Sequence, residues 1–349
     1  MKAQKKVLII RLSSMGDVIF NLPLANVLKK AGYYVAWVVG EKGVDIVKNN
    51  SAVDETIFVP LKLWKGQNFF KKIRERYKIV KYIRSQNFDI AIDTQGLLKS
   101  GFWCLISGAK RRITSWAARE FSALVGNEII PSIVNDNNTH ATINYLKFAK
   151  HLGVNHEEIE ASLPPLTQEI KDKIDGLLKD VDKSKPLVAI APATTWVPKH
   201  WNKDHWKDLI SLLENDYTLV FTGTNSDKEL IEYISEKKHL SIAGQTSVLE
   251  LGEFFSRCDL VISLDSGSTH LAWASKNPKI ISIFCCTPPK RYAPLGGEDK
   301  YIALSGALSC QPCHKRVCPL KIPNKCTLTP HVKDVVDAVY KLLPPEKGN

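Results

Sequence analysis

Runs of four to six mostly apolar residues recur along the chain, each closed by a turn of Ser, Thr, Gly or Asp and followed by a stretch of helical period. Such runs are expected of strands buried on both faces of a parallel sheet. In the first half they predict strands over Val7 to Arg11, Tyr34 to Val39, Thr56 to Val59, Phe88 to Ile92 and Arg111 to Ser115. Helices are predicted over Val18 to Ala31, closed by Gly32 as a C-cap, and over Gly43 to Asn49. From about Asn155 the character changes: Pro164-Pro165, a charged helix over Gln168 to Lys179 and a Lys-rich run up to Pro186 predict a linker. A second alternation follows, with strands over Leu187 to Ala191, Thr218 to Thr222, His239 to Ile242, Leu260 to Leu264 and Lys279 to Phe284. Its helices are predicted over His205 to Glu214, Asp227 to Lys237, Val248 to Arg257 and Val332 to Leu342. The pattern therefore predicts an α/β protein of two Rossmann-like, doubly wound domains facing a central cleft. The expected boundaries are 1–160, a linker at 161–186, a second domain at 187–330, and a closing helix and tail at 331–349.

The 349 residues suit two such domains, and 44% hydrophobic and 24% charged residues are those of a globular chain with large cores. No apolar run approaches membrane-spanning length. The basic start, Met1 to Lys6, leads into only Val7 to Ile10 before Arg11, too short for a secretory signal. A cytoplasmic protein is expected, and its eight cysteines are then thiols or metal ligands rather than disulfides. The net charge of +12 is concentrated: nine Lys/Arg and a single acid, Glu75, lie between Lys62 and Arg84. Phe69, Ile73, Tyr77, Val80 and Ile83 recur there at helical spacing, which predicts a basic amphipathic helix. A solvated face is the default reading of that charge; a phosphate-bearing partner, nucleic acid or acidic lipid headgroup, comes next.

The nucleotide signatures G-x-G-x-x-G and G-x-x-x-x-G-K-[ST] are both missing, which counts against a dehydrogenase and an NTPase. Chemistry has to be sought in the turns that follow strands, where open α/β sheets bind ligands. Asp17, at the end of the Leu12 to Asp17 turn, is either a helix cap or a general base, and spacing alone favours the cap. Thr194, Thr195 and Lys199 follow the Leu187 strand and suit a phosphate. Asp227, after Thr218 to Thr222, is placed either to bind a ribose or to cap a helix. Asp265, Ser266, Gly267 and His270 follow Leu260 to Leu264, where a helix opens at Ser268 or Thr269 and its unpaired amides favour an anion. Three anion-suited turns in one domain point to a nucleotide diphosphate. The one Asp-x-Asp, Asp180-Val181-Asp182, sits in the Lys-rich linker and is a poor metal site. Finally, Cys310, Cys313, Cys318 and Cys326 crowd into one segment. Its C-x2-C is a common half of a structural zinc site, and its C-x7-C is looser than the usual partner; four reduced thiols in a loop is the alternative.

Taken in order, these motifs resemble those of the bacterial ADP-heptose:lipopolysaccharide heptosyltransferases, glycosyltransferase family 9. Ile10 to Val18, Phe88 to Ser100 and Trp116 to Glu120 look most like the heptosyltransferase I branch. Ala193 to Thr195 with Lys199 to Trp201 is similar to the family's phosphate loop, and Leu264 to His270 matches its D-[ST]-G-x-x-H donor motif. The resemblance covers nearly the whole chain. It implies the GT-B fold and an inverting, metal-independent transfer of heptose from ADP-heptose to a Kdo sugar of lipid A. Asp17 would be the general base. Thr194, Thr195 and Lys199 would hold the diphosphate, Asp227 would lie near the ribose, and Asp265, Ser266, Gly267 and His270 would complete the nucleotide clasp. Ser14, Gly16, Lys62, Lys65, Lys99 and Arg119 would bind the anionic acceptor. The basic segment, with Phe69, Phe70 and Trp64, would touch the inner face of the inner membrane, making the protein peripheral, and no nucleic-acid partner is implied. The chain departs from the family at Cys285 to Pro289, where a Gly-Pro-Thr-Asp-Pro-like turn is usual. Its four-cysteine segment resembles one in heptosyltransferase II-like members. That leaves transfer to a core heptose as the alternative, with a non-catalytic nucleotide-sugar binder and a GT-B epimerase as rivals.

Overall fold

A computed structural model describes residues 4–134, 136–155, 158–320 and 324–345. Met1 to Ala3, and the last four residues of the tail, lie outside them. The chain divides into two units between Pro165 and Leu166.

The first unit runs β1 (Lys6–Ile10), α1 (Met15–Lys30), β2 (Tyr34–Gly40), α2 (Val44–Val47), β3 (Glu55–Val59), α3 (Leu61–Lys65), α4 (Phe69–Ser85), β4 (Ile90–Asp93), α5 (Leu98–Ile106), β5 (Arg111–Ser115), β6 (Glu128–Ile130) and α6 (Ala141–His151). Its strands form one parallel sheet in the order β3-β2-β1-β4-β5-β6. The chain lays down three strands toward one edge, then returns through α4 to place β4 on the other side of β1. Val7 to Ile10 are wholly buried, as a strand covered on both faces requires.

The second unit repeats this plan. It runs α7 (Gln168–Leu177), β7 (Leu187–Ala191), α8 (Lys203–Leu213), β8 (Thr218–Phe221), α9 (Lys228–Ser235), β9 (Leu240–Ser241), α10 (Val248–Ser256), β10 (Leu260–Leu264), α11 (Gly267–Ser275), β11 (Lys279–Phe284), α12 (Pro289–Tyr292), β12 (Tyr301–Ser305) and α13 (Val332–Leu342). The sheet order β12-β11-β10-β7-β8-β9 is the same topology, again all parallel. Each sheet thus has one switch point, between β1 and β4 and between β7 and β10, where the carboxyl ends of adjacent strands diverge and leave room for a ligand. Helix α7, within the stretch read as a linker, packs on α10 through Lys173 Nζ to Glu250 at 2.8 Å and Arg257 Nη2 to the Lys171 carbonyl at 3.0 Å.

The doubly wound α/β expectation holds in both units. Three details differ. Edge strands β6 and β12 and helix α6 were not anticipated: the edge strands are mostly half-buried or exposed, and α6 buries Thr142 and Asn144, which blurs its apolar stripe. On α4 the stripe is covered only at its end, where Ile83 is buried; Phe69, Ile73 and Tyr77 are exposed. Trp64, expected at a membrane surface, is instead buried against Trp103 at 6.4 Å between ring centroids, its indole N–H donating to Glu75 at 2.8 Å. Among the described residues no helix is long and apolar enough to cross a membrane.

Ile262, fully buried at the centre of β10, tests the sheet packing. Ile262→Ala should cost about 2–5 kcal/mol in urea unfolding; a loss under about 1 kcal/mol would mean this strand is not core-forming.

Candidate active site

Strand β1 delivers Arg11 directly after its last apolar residue. The guanidinium is almost fully enclosed, donating from Nη1 to the Thr94 carbonyl at 2.7 Å, and Nη2 stands 2.7 Å from Asp17 Oδ1. Asp17, in the first turn of α1, accepts at Oδ2 from the Ser14 N–H (3.2 Å) and the Ser14 hydroxyl (2.9 Å), while the Tyr145 hydroxyl donates to Oδ1 at 3.4 Å. The carboxylate therefore is a helix cap, yet its side chain stays 29% exposed against 8% for Arg11. Burial works against ionisation, but the charge and hydrogen bond of Arg11, with the two bonds from Ser14, outweigh it and hold the Asp17 carboxyl below its usual range. The arrangement presents an ionised, partly open carboxylate at the first switch point. Across it, Asp93 at the end of β4 accepts from the Gln95 and Gly96 N–H groups at 2.9 and 3.0 Å and from the Ser100 hydroxyl at 3.0 Å. Burial pushes its carboxyl up, the three bonds offsetting part of that. Asp93 thus builds the 94–97 turn. Gly96 is needed in it: its φ is +63°, and a Cβ would stand 2.9 Å from the Ala118 Cα. Its carbonyl accepts from the Arg119 N–H at 2.8 Å.

Beside this turn a cavity of about 400 Å³ opens, with Leu12 and Ser13 on one wall. Lys42, Lys62, Lys65, Lys72, Arg76 and Lys99 line it, and among the described residues Glu41 is the only acid there, accepting from the Lys62 N–H. Three predicted acceptor residues, Lys62, Lys65 and Lys99, are thereby brought together. Ser14 is the N-cap of α1 and Gly16 lies in its first turn, and Arg119 lines no part of this cavity.

At the second switch point the charges are reversed. Asp265, just after β10, is enclosed (4%), and Lys199 Nζ, 17% exposed, lies 2.6 Å from its Oδ2. Thr287, in the turn after β11, donates its hydroxyl to the same oxygen at 2.5 Å, and His270 Nε2 lies 3.8 Å from Oδ1. Two cations stand over the Trp196 ring, Lys199 Nζ at 4.9 Å and Arg316 at 4.8 Å from its centroid. His200 Nε2 meets the Thr194 carbonyl at 2.7 Å and shapes the turn that leaves Thr195 exposed. Ser266 caps α11 by accepting from the Ser268 N–H at 3.2 Å, with Gly267 the first helical residue. Asp227 is one strand further out, after β8, and closes its own turn by accepting from the Thr224 N–H and hydroxyl at 2.7 and 2.6 Å. Among the described residues no group of three His, Cys, Asp or Glu is drawn together to hold a metal ion; Cys310, Cys313, Cys318 and Cys326 are free thiols around a separate cavity of about 250 Å³.

Four partners escaped the sequence. Arg11 reads as the last residue of a strand, though a charge ending a buried strand is itself a signal. Thr287 lies in the turn that departs from the family pattern, and Tyr145 and Arg316 come from distant segments that spacing does not connect.

Two units of the same Rossmann-like strand order are the GT-B architecture that similar solved structures share. The chain belongs to glycosyltransferase family 9 (heptosyltransferase), whose sequence model matches residues 76–322. It is similar to lipopolysaccharide heptosyltransferase 1 of Escherichia coli (strain K12), 28% identical over 283 residues, which is 79% of this chain and 86% of that one. In structure it is similar to a family 9 glycosyl transferase from Veillonella parvula DSM 2008, with a TM-score of 0.81, 19% identity and 98% of each chain covered. E. coli heptosyltransferase WaaC with ADP has a TM-score of 0.73 and 23% identity, covering 97% of this chain and 99% of that one.

Because the Asp17 carboxyl is depressed in the folded protein, its contribution to stability is in place at neutral pH and is lost as pH falls through its folded value. Arg11→Met should raise that value and move the onset of acid unfolding to higher pH. Carbon-13 NMR titration of the Asp17 carboxyl checks this, and an unmoved midpoint would refute the pairing.

Proposed function

We propose that this enzyme transfers heptose from ADP-heptose to a Kdo sugar of lipid A during lipopolysaccharide inner-core synthesis, inverting the anomeric centre. The observation that carries the reading is the Asp17 carboxylate, kept ionised by Arg11 yet open to solvent beside a six-cation cavity. Relatives named lipopolysaccharide heptosyltransferases and a similar structure holding ADP support it.

In this mechanism the acceptor hydroxyl donates a hydrogen bond to Asp17. The new C–O bond forms as the bond to the diphosphate breaks, and the hydroxyl proton passes to Asp17. A carboxylate so well paired is a weak base, so the proton moves late, once bond formation has made the hydroxyl acidic. The leaving diphosphate gains charge, which Lys199 and the N-terminus of α11 offset, with Thr194, Thr195, Ser266, Gly267 and His270 around it. Asp265 and Thr287 hold Lys199 in position, and Asp227 reaches toward the ribose. The transfer step needs no metal. Lys62, Lys65 and Lys99 take the acceptor's carboxylate and phosphates, with Ser14, Gly16 and Arg119 flanking.

The acceptor's lipid anchor gives the exposed part of α4 a role at the cytoplasmic face of the inner membrane. Phe69, Phe70, Ile73 and Tyr77 face solvent there among Lys71, Arg74 and Lys78, and each basic residue near an anionic surface contributes about 1 kcal/mol.

Asp17→Asn should lower transfer by about 10²–10⁴-fold with ADP affinity kept, measured as ADP release from ADP-heptose and Kdo2-lipid A; transfer at the wild-type rate would remove Asp17 as the base. Product formed only on an already heptosylated core would move the acceptor assignment to heptose. Lys199→Met should weaken ADP binding by about 10–100-fold in calorimetry, and unchanged affinity would exclude it from the diphosphate site. Reversing Lys71, Arg74 and Lys78 to Glu should weaken sedimentation with anionic liposomes and spare turnover of a soluble, deacylated acceptor. Undiminished liposome binding would rule this face out.

A further inference from the structure

We propose that Cys310, Cys313, Cys318 and Cys326 bind one divalent metal ion of the zinc class through four thiolates, as a structural site that fixes the loop beside the Lys199 turn. All four thiols are unpaired and line a single cavity of about 250 Å³. Its other walls are Pro198, Pro319 and Leu320 with Gln311, Lys315 and Lys325. Among the described residues no carboxylate or imidazole lines it, and an all-sulfur donor set selects a tetrahedral, borderline-soft ion. A divalent ion on four thiolates carries two net negative charges, and the two lysines of the wall are there to balance them.

The segment needs a cross-link. Between Ser305 and Val332 the only regular element described is the single 3-10 turn Lys325–Leu328. Val317 and Leu320 are exposed; Cys326 joins the core of the unit, with Leu308 and Cys313 packed half-buried against it. Long connections without elements of their own are uncommon in compact domains unless something holds them. No three of the described ligands already stand together at a metal-binding point, so the ion draws the loop thiols onto buried Cys326, each giving up its proton as it binds.

What the staple would hold is specific. The Cys313 and His314 N–H groups donate to the Cys286 carbonyl at 3.1 and 3.0 Å, next to Thr287 on Asp265. The Cys326 thiol lies 3.9 Å from the Pro198 carbonyl, next to Lys199, and Arg316 stacks on Trp196. Losing the ion should loosen the Lys199 side of the site rather than remove a reacting group.

The full-length protein, untagged and purified without chelator, should carry about one zinc per chain by mass spectrometry, and cobalt exchange should give the visible bands of a tetrahedral thiolate site. Cys313→Ser and Cys318→Ser should each cut the metal content at least several-fold, whereas Cys258→Ser, at a buried thiol elsewhere, should leave it unchanged. Stripping the wild-type protein with a chelator should weaken ADP binding several-fold, and zinc should restore it, so a misfolded variant does not decide the matter. A metal-free wild-type protein that takes up neither zinc nor cobalt would overturn the site, as would metal content indifferent to Cys313→Ser or a disulfide between these cysteines. Metal content does not depend on which sugar is moved, so its failure is distinguishable from failure of the proposed transfer.

Discussion

A parallel strand covered on both faces can carry charge only where it ends, and there the charge must find a partner. Both sheets meet that constraint at the switch point, with opposite sign. The first buries the cation, Arg11, and leaves its partner Asp17 the more exposed; the second buries the acid, Asp265, and leaves Lys199 the more exposed. A buried charge without its partner would cost several kcal/mol, so neither pair is a surface ornament. One unit thereby offers a carboxylate to solvent and the other an ammonium. A displacement reaction needs those two functions, a proton acceptor for the nucleophile and a counter-charge for the leaving group.

Much of this was legible in the sequence because the inner strands are apolar on both faces, a pattern no surface element imitates. Leu187 to Ala191, Leu260 to Leu264 and Lys279 to Phe284 were read to the residue. Edge strands β6 and β12 were not, since half-exposed strands dilute the same signal. Helix α4 gives a different lesson. Periodicity identifies which residues share a face but not what covers that face; Phe69, Ile73 and Tyr77 share one that the rest of their unit leaves open.

At the candidate site, position relative to strand ends singled out Asp17, Lys199 and Asp265. Which charge answers which could not be read there, because Lys199 and Asp265 are 66 positions apart and meet only through the β7–β10 adjacency. Arg11 lay in plain view as the end of a strand. The cationic cavity was visible as charge density between Lys62 and Arg84, but Lys42 and Lys99 join it from outside that segment.

The identical strand order of the two units has a consequence for how such a chain diverges. Each charged pair is closed within its own sheet, and each sheet has its own core, so a substitution that reshapes one binding turn leaves the other pair untouched. Selection can then retune the turns of one half while those of the other stay constant. The natural seam for recombining halves between relatives is the Pro164-Pro165 step, where one unit ends and the next begins.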